Sequence, residues 1–126
     1  MRPKPISPTV HGIIDYAFIL SLLTVPSILK LHKHVRLLYV LNAISVASYT
    51  LFTKYPVAVK PVIPFYFHKR LDIDNLAALL VETLYKKVGK DKRAFTFHFS
   101  MLTAGIITVL LTNWGEPPAN MKGKKW

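Results

Sequence analysis

The sequence predicts an all-α fold: four transmembrane helices arranged as two repeated helical hairpins. Three observations predict it. The first is a set of long apolar runs. Residues 13–31 are broken only by Asp15 and Lys30, residues 35–52 carry one charge, Arg36, and residues 94–114 carry no Asp, Glu, Lys or Arg. At about 1.5 Å of rise per residue, each run reaches the roughly 30 Å of a bilayer core. The second is an internal repeat. His11 and His68, Asp15 and Asp72, Lys30 and Lys87, and Arg36 and Arg93 are each 57 residues apart. The third is the placing of Lys and Arg in turns and tails, beside Tyr and Trp at the ends of the runs, as at a headgroup interface.

The first helix is expected over residues 8–31. Ser7 or Thr9 can cap it, and Pro8 suits its first position. Its basic-then-apolar start is read as a crossing and not as a signal peptide. The run is too long, Asp15 lies near its start, and Pro26 and Lys30 occupy the place of a small-residue cleavage site. The short connection KLHKH makes the second helix, expected over residues 34–54, an antiparallel neighbour. VAVKPVIPFYF, at 57–67, follows Pro56 and has prolines at 61 and 64, and the stretch at about 56–66 is read as a connector lying at the interface. The third helix is expected over residues 67–88, ended by Gly89. The fourth is expected over residues 91–114, stopped by GEPP, with a mobile basic tail at 115–126. The chain is thus one membrane domain: repeat one at about 5–56, the connector, repeat two at about 67–114, and the tail. Two such hairpins cross with the same polarity, so an axis along the membrane normal should relate them.

The third helix is the weakest crossing. Its eight Leu, Ile and Val residues between 71 and 88 contribute about −4 kcal/mol to insertion, which Asp72, Asp74 and Glu82 offset. Its polar groups must therefore face protein. At 100° per residue, His68, Asp72, Asn75, Leu79, Glu82 and Lys86 share one stripe, with Asp74 on the other side. His11, Asp15, Phe18 and Leu22 form the matching stripe of the first helix. The second offers Asn42, Ser45 and Tyr49. The fourth offers Ala94, His98, Met101, Gly105, Thr108 and Thr112.

The candidate polar cluster is His11, Asp15, His68 and Asp72, with Asn75 and Glu82 further along. Each His–x–x–x–Asp pair lies on one helix face, and both pairs start at the same membrane surface as Tyr49, Thr53, Tyr55, Thr112 and Trp114. Read as construction, the carboxylates sit favourably in the first turns of their helices and lock the two repeats together. Read as chemistry, the two imidazoles and two carboxylates form a set that can ligate a divalent metal or haem, relay protons, or hold a quinone or lipid headgroup. Neither HxxxH nor HExxH is present, and no cofactor is strongly implied. Glu82 is expected to pair with Arg93, Lys86 or Arg36. His98 is expected to be a hydrogen-bonded helix residue, and His32 and His34 to be solvated.

No cysteine is present, which excludes disulfides and thiolate ligands. A phosphate-binding Gly-rich loop and a nucleophile–base arrangement are also missing, so an enzyme is not the expectation. The net charge of +11 sits next to the apolar runs and points to anionic lipid headgroups, not to nucleic acid. Lys and Arg are almost evenly divided between the two surfaces. The extra basic tails favour both termini in the cytoplasm. A chain of this kind is expected to form a homo-oligomer or to join a larger membrane complex.

Pro8-x-x-His11-Gly-Ile-Ile-Asp15-Tyr16, Val25-Pro26-Ser27 and the duplicated hairpin together resemble the SPW-repeat family, over residues 5–114. The name-giving Ser-Pro-Trp reads Val-Pro-Ser here, and the same offset in repeat two reads Glu82-Thr83-Leu84. The resemblance implies a small bacterial inner-membrane protein of paired transmembrane helices. It implies no reaction.

Overall fold

The structure, a computed structural model, describes residues 4–115. The tail expected to be mobile, beyond residue 115, lies outside the described residues. The chain is all-helical, with five helices among the described residues where four were expected: α1 (Pro8–Ile28), α2 (Lys33–Thr50), α3 (Phe65–Glu82), α4 (Lys86–Gly89) and α5 (Lys92–Leu111). Of these, α1 and α5 are long and apolar enough to cross a membrane. The long helices pack as α1 on α2 and α3 on α5, and further contacts of α2 with α3 and α1 with α5 join the two pairs.

The boundaries follow from local chemistry. Ser7 accepts from the Val10 amide at 3.2 Å, and Pro8 follows it. At the other end, Lys30 adopts a positive φ of 53°. The amides of Lys30 and Leu31 bond back to the carbonyls of Ser27 and Pro26 at 3.1 and 3.0 Å. This pair of bonds closes the helix three residues earlier than expected and turns Leu31 into the core. The third expected helix is divided. It stops at Glu82, the Thr83 hydroxyl bonds to the Leu79 carbonyl at 3.2 Å, and a separate turn of helix, α4, follows before Asp91 caps α5. Lys86 therefore leaves the expected stripe and is exposed.

α2 also ends early, at Thr50, and the carbonyls just beyond it are used by the connector. Leu51 O accepts from Val59 and Lys60, and Phe52 O accepts from Val62 and Ile63. The connector is thereby folded over the end of α2, with Tyr55 OH on Thr50 O at 2.7 Å and Tyr16 OH on Val57 O at 2.8 Å. On α2 the buried face is Val35, Tyr39, Asn42, Ala43, Val46 and Tyr49, while Ser45 is exposed, against expectation, as is Ser48. Ser48 instead turns its hydroxyl onto its own helix, at Ser45 O.

The apolar core lies toward the end away from His11, Asp15, His68 and Asp72. It is built from Leu22, Leu31, Val35, Tyr39, Val88, Ala94, Phe97 and Met101. At its edge, His98 joins three helices. Its Nε2–H donates to Leu79 O at 2.6 Å, which leaves Nδ1 to accept from Tyr39 OH at 2.7 Å.

Candidate functional site

The sites of the two His–x–x–x–Asp pairs are set by matching backbone. Ile6 and Ile63, 57 residues apart, each lie just before a helix and form an isolated parallel bridge, Ile6 with Thr112 and Ile63 with Thr53. Asn113 N bonds to Ile6 O at 2.8 Å, and Lys54 N bonds to Ile63 O at 2.7 Å. The start of each hairpin is thus stitched to the end of a helix. One turn into α1 and α3, this places His11 and His68 opposite each other.

The four side chains form a closed ring of alternating nitrogen and oxygen. His11 Nε2 lies 2.9 Å from Asp72 Oδ2, and His68 Nε2 lies 2.9 Å from Asp15 Oδ2. Within each helix the i,i+4 separations are longer, 3.3 Å for His11–Asp15 and 3.3 Å for His68–Asp72. The short contacts are the crossed ones: each imidazole reaches the carboxylate of the other repeat. Both histidines are fully buried, and both aspartates are 7% exposed.

The ring is held from outside by hydroxyls, and the holding is also crossed. His11 Nδ1 meets Thr112 Oγ1 at 2.8 Å, and His68 Nδ1 meets Thr53 Oγ1 at 2.7 Å. Each of these threonines gives its single hydroxyl proton to a carbonyl, Thr112 to Thr108 O and Thr53 to Tyr49 O. Each must then accept from the imidazole, so both Nδ1 atoms carry hydrogen and both Nε2 atoms face the carboxylates. Asp72 Oδ1 accepts from Tyr49 OH at 2.9 Å.

Aromatic rings cover the outer side. Trp114 lies 4.8 Å from the His11 ring and stacks on Phe65, also at 4.8 Å. Tyr55 lies 5.7 Å from the His68 ring. Burial, then the Asp15 charge, pushes the Tyr55 phenol above its usual value and keeps it a donor to Thr50 O. On the inner side, a cavity of about 40 Å³ adjoins Asp15 and Asp72 and is walled by Phe18, Val46, Leu76 and Val109, with Tyr49, Asn75 and Thr108 as polar lining. That is space for water.

Of the six residues singled out in the sequence, the structure unites His11, Asp15, His68 and Asp72. Asn75 lines the adjoining cavity, half-buried. Glu82 lies apart. Its Oε2 accepts from Asn42 Nδ2 at 2.9 Å, and none of the expected basic partners is bonded to it. Arg93 instead donates to the α1 end at Leu29 O, 2.8 Å away. Asp74 lies on the outer side with Arg70, 3.7 Å away. At the opposite end of the helices, Lys87 Nζ lies 3.2 Å from His32 Nε2. Desolvation, then the charges of Lys87, His34, Lys33 and Arg36, hold His32 below its usual value.

The contacts that sequence reasoning missed are Gly12 and Phe65. A side chain at Gly12 would overlap Val57 and come within 2.9 Å of the Tyr55 ring, so the connector can seat only on glycine there. The same offset in repeat two is the exposed Lys69. Comparison with family models, with curated proteins and with solved structures gives no match to this chain.

Proposed function

We propose that this is a small, non-enzymatic integral membrane protein in which all four long helices cross the bilayer, acting as a structural or accessory subunit of a membrane assembly. The observation that carries the reading is inverted polarity. Two histidines, two aspartates, His98, Thr50, Thr53 and Thr112 are interior, while Leu20, Ile44, Leu80, Phe99 and Leu110 are each about 60% exposed. Exposed Leu, Ile, Val and Phe side chains occur along all four long helices, α2 and α3 included. Water-soluble monomers rarely leave so much contiguous apolar surface open. In lipid that surface is favourable, and interior polar groups must bond to one another. The partners found inside by Asp72 and Glu82 offset the insertion cost of α3.

Under this reading the two repeats form a four-helix bundle about an axis along the membrane normal, as the resemblance to SPW-repeat proteins implies. Anionic headgroups contact the basic ends, the termini lie in the cytoplasm of a bacterial inner membrane, and the chain is a homo-oligomer or part of a larger complex. Membranes washed with alkaline carbonate are expected to retain the protein, and mild-detergent extracts to carry it in an assembly larger than one chain. Release by carbonate would contradict the membrane reading. A lone monomer in mild detergent would contradict the subunit reading.

A second reading, a ligand-binding module for a quinone or lipid headgroup, is favoured by a groove of about 410 Å³ between α2 and α3, lined by Asn42, Tyr49, Leu71 and Asn75. A quinone or lipid retained through purification, and lost when Asn75 is replaced by Leu, would support it.

A further inference from the structure

We propose that His11, Asp15, His68 and Asp72 together bind one divalent transition-metal ion of the Zn²⁺ class. The inference rests on the ring itself and holds whether or not the helices cross a membrane.

Four features carry it. The donors are of the right kind and spacing. One donor atom from each residue lies within 4.8 Å of the other three. Four of the six donor–donor edges, the N···O ones, are 2.9–3.3 Å, near the edges of about 3.3–3.5 Å in a tetrahedron with zinc-like bonds of about 2.0–2.2 Å, and the N···N and O···O edges are within 4.8 Å. The imidazoles are also set up as ligands. Thr112 and Thr53 take the Nδ1–H of His11 and His68, which aims each Nε2 lone pair into the ring, the outer-shell arrangement typical of metal-bound histidine. Next, half of the ring is left unsatisfied: His11 Nε2 and Asp72 Oδ2 form a hydrogen bond at 2.9 Å, and the other crossed pair does not. Asp15 Oδ2 and His68 Nε2 are 2.9 Å apart, yet both are buried without a hydrogen-bond partner. Finally, charge closes. Two carboxylates neutralise one divalent cation, and two neutral imidazoles complete the coordination, so a buried site carries no net charge. Without a cation, neutral imidazoles would point lone pairs at carboxylates, and only a second proton on each ring would restore balance.

The test uses full-length protein purified through a non-histidine tag in mild detergent, without added metal. Elemental analysis is expected to find about one equivalent of a single divalent transition metal per chain. After stripping by a chelator, titration with Co²⁺ is expected to give visible ligand-field absorption that saturates at about one equivalent, and Zn²⁺ is expected to abolish it. T53V and T112V keep all four ligands and remove the acceptors of Nδ1–H, together with each hydroxyl's own bond to a carbonyl of its helix. Each is expected to weaken Co²⁺ binding by about 10–100-fold, while H34A leaves it unchanged. D15N and D72N are expected to abolish the absorption. Folded wild-type protein that takes up no Co²⁺ would overturn the proposal and leave protons as the balancing charge. Binding unaffected in T53V and T112V, or retained in folded D15N and D72N, would overturn it by placing the metal elsewhere. If the Asp variants do not fold, the wild-type titration and the two Thr variants decide.

Discussion

Replacing Asp72 by Ala is expected to destabilise the fold by about 3–5 kcal/mol, the cost of breaking a buried charged pair by removing one partner. The carboxylate lies 2.9 Å from His11, 2.9 Å from Tyr49 OH and 3.3 Å from His68. Its loss orphans a buried phenol and leaves two imidazoles facing a single carboxylate. Because Asp72 stands on α3 and its closest contacts on α1 and α2, the lost free energy is what holds the hairpins together. The comparison that isolates the effect is Asp74→Ala. Asp74 is only two residues away, but its side chain is 63% exposed, and the change is expected to stay within about 0.5 kcal/mol. Denaturant unfolding in detergent, followed by helical circular dichroism, measures both. Equal small effects would mean that the ring contributes no stability.

Gly12→Val is expected to cost about 1–3 kcal/mol by overpacking. The added atoms would meet Val57 and the Tyr55 ring. Tyr55 cannot yield easily: it is 1% exposed, and its hydroxyl is tied to Thr50 O. Relief therefore requires the connector to lift, taking with it the ring that covers His68. Gly105→Ala is the informative contrast. The atom in its way is Leu76 Cδ2, the far end of a flexible side chain beside the cavity, so the connector and the aromatic cover stay in place. Unfolding free energies, with the near-ultraviolet signal of Tyr55 and Trp114, would separate the two. An unperturbed aromatic signal in Gly12→Val would contradict the proposed seating of the connector.

What the sequence disclosed and what it concealed have physical causes. The His–x–x–x–Asp spacing follows helix periodicity, and the 57-residue offset needs no coordinates, so the four ring residues were legible. The crossing was not. An i,i+4 pair shares a face in any helix, but which carboxylate comes nearer depends on how α1 and α3 lie against each other. Thr53 and Thr112 play matching parts although they are 59 residues apart, so the repeat offset does not pair them. Charge alone suggested a basic partner for Glu82. Packing gave it the Asn42 amide, while Arg93 went to the exposed end of α1. The division of the third expected helix at Glu82 escaped because Thr83-Leu84-Tyr85 contains no Gly or Pro to announce a stop.

Crossed His–Asp contacts join the two repeats. A double-mutant cycle on His11→Ala and Asp72→Ala tests it most directly, with unfolding free energy as the readout. A coupling of about 0.5–3 kcal/mol is expected across this 2.9 Å pair. Losses that add within about 0.3–0.5 kcal/mol would contradict it, because residues that do not meet contribute independently.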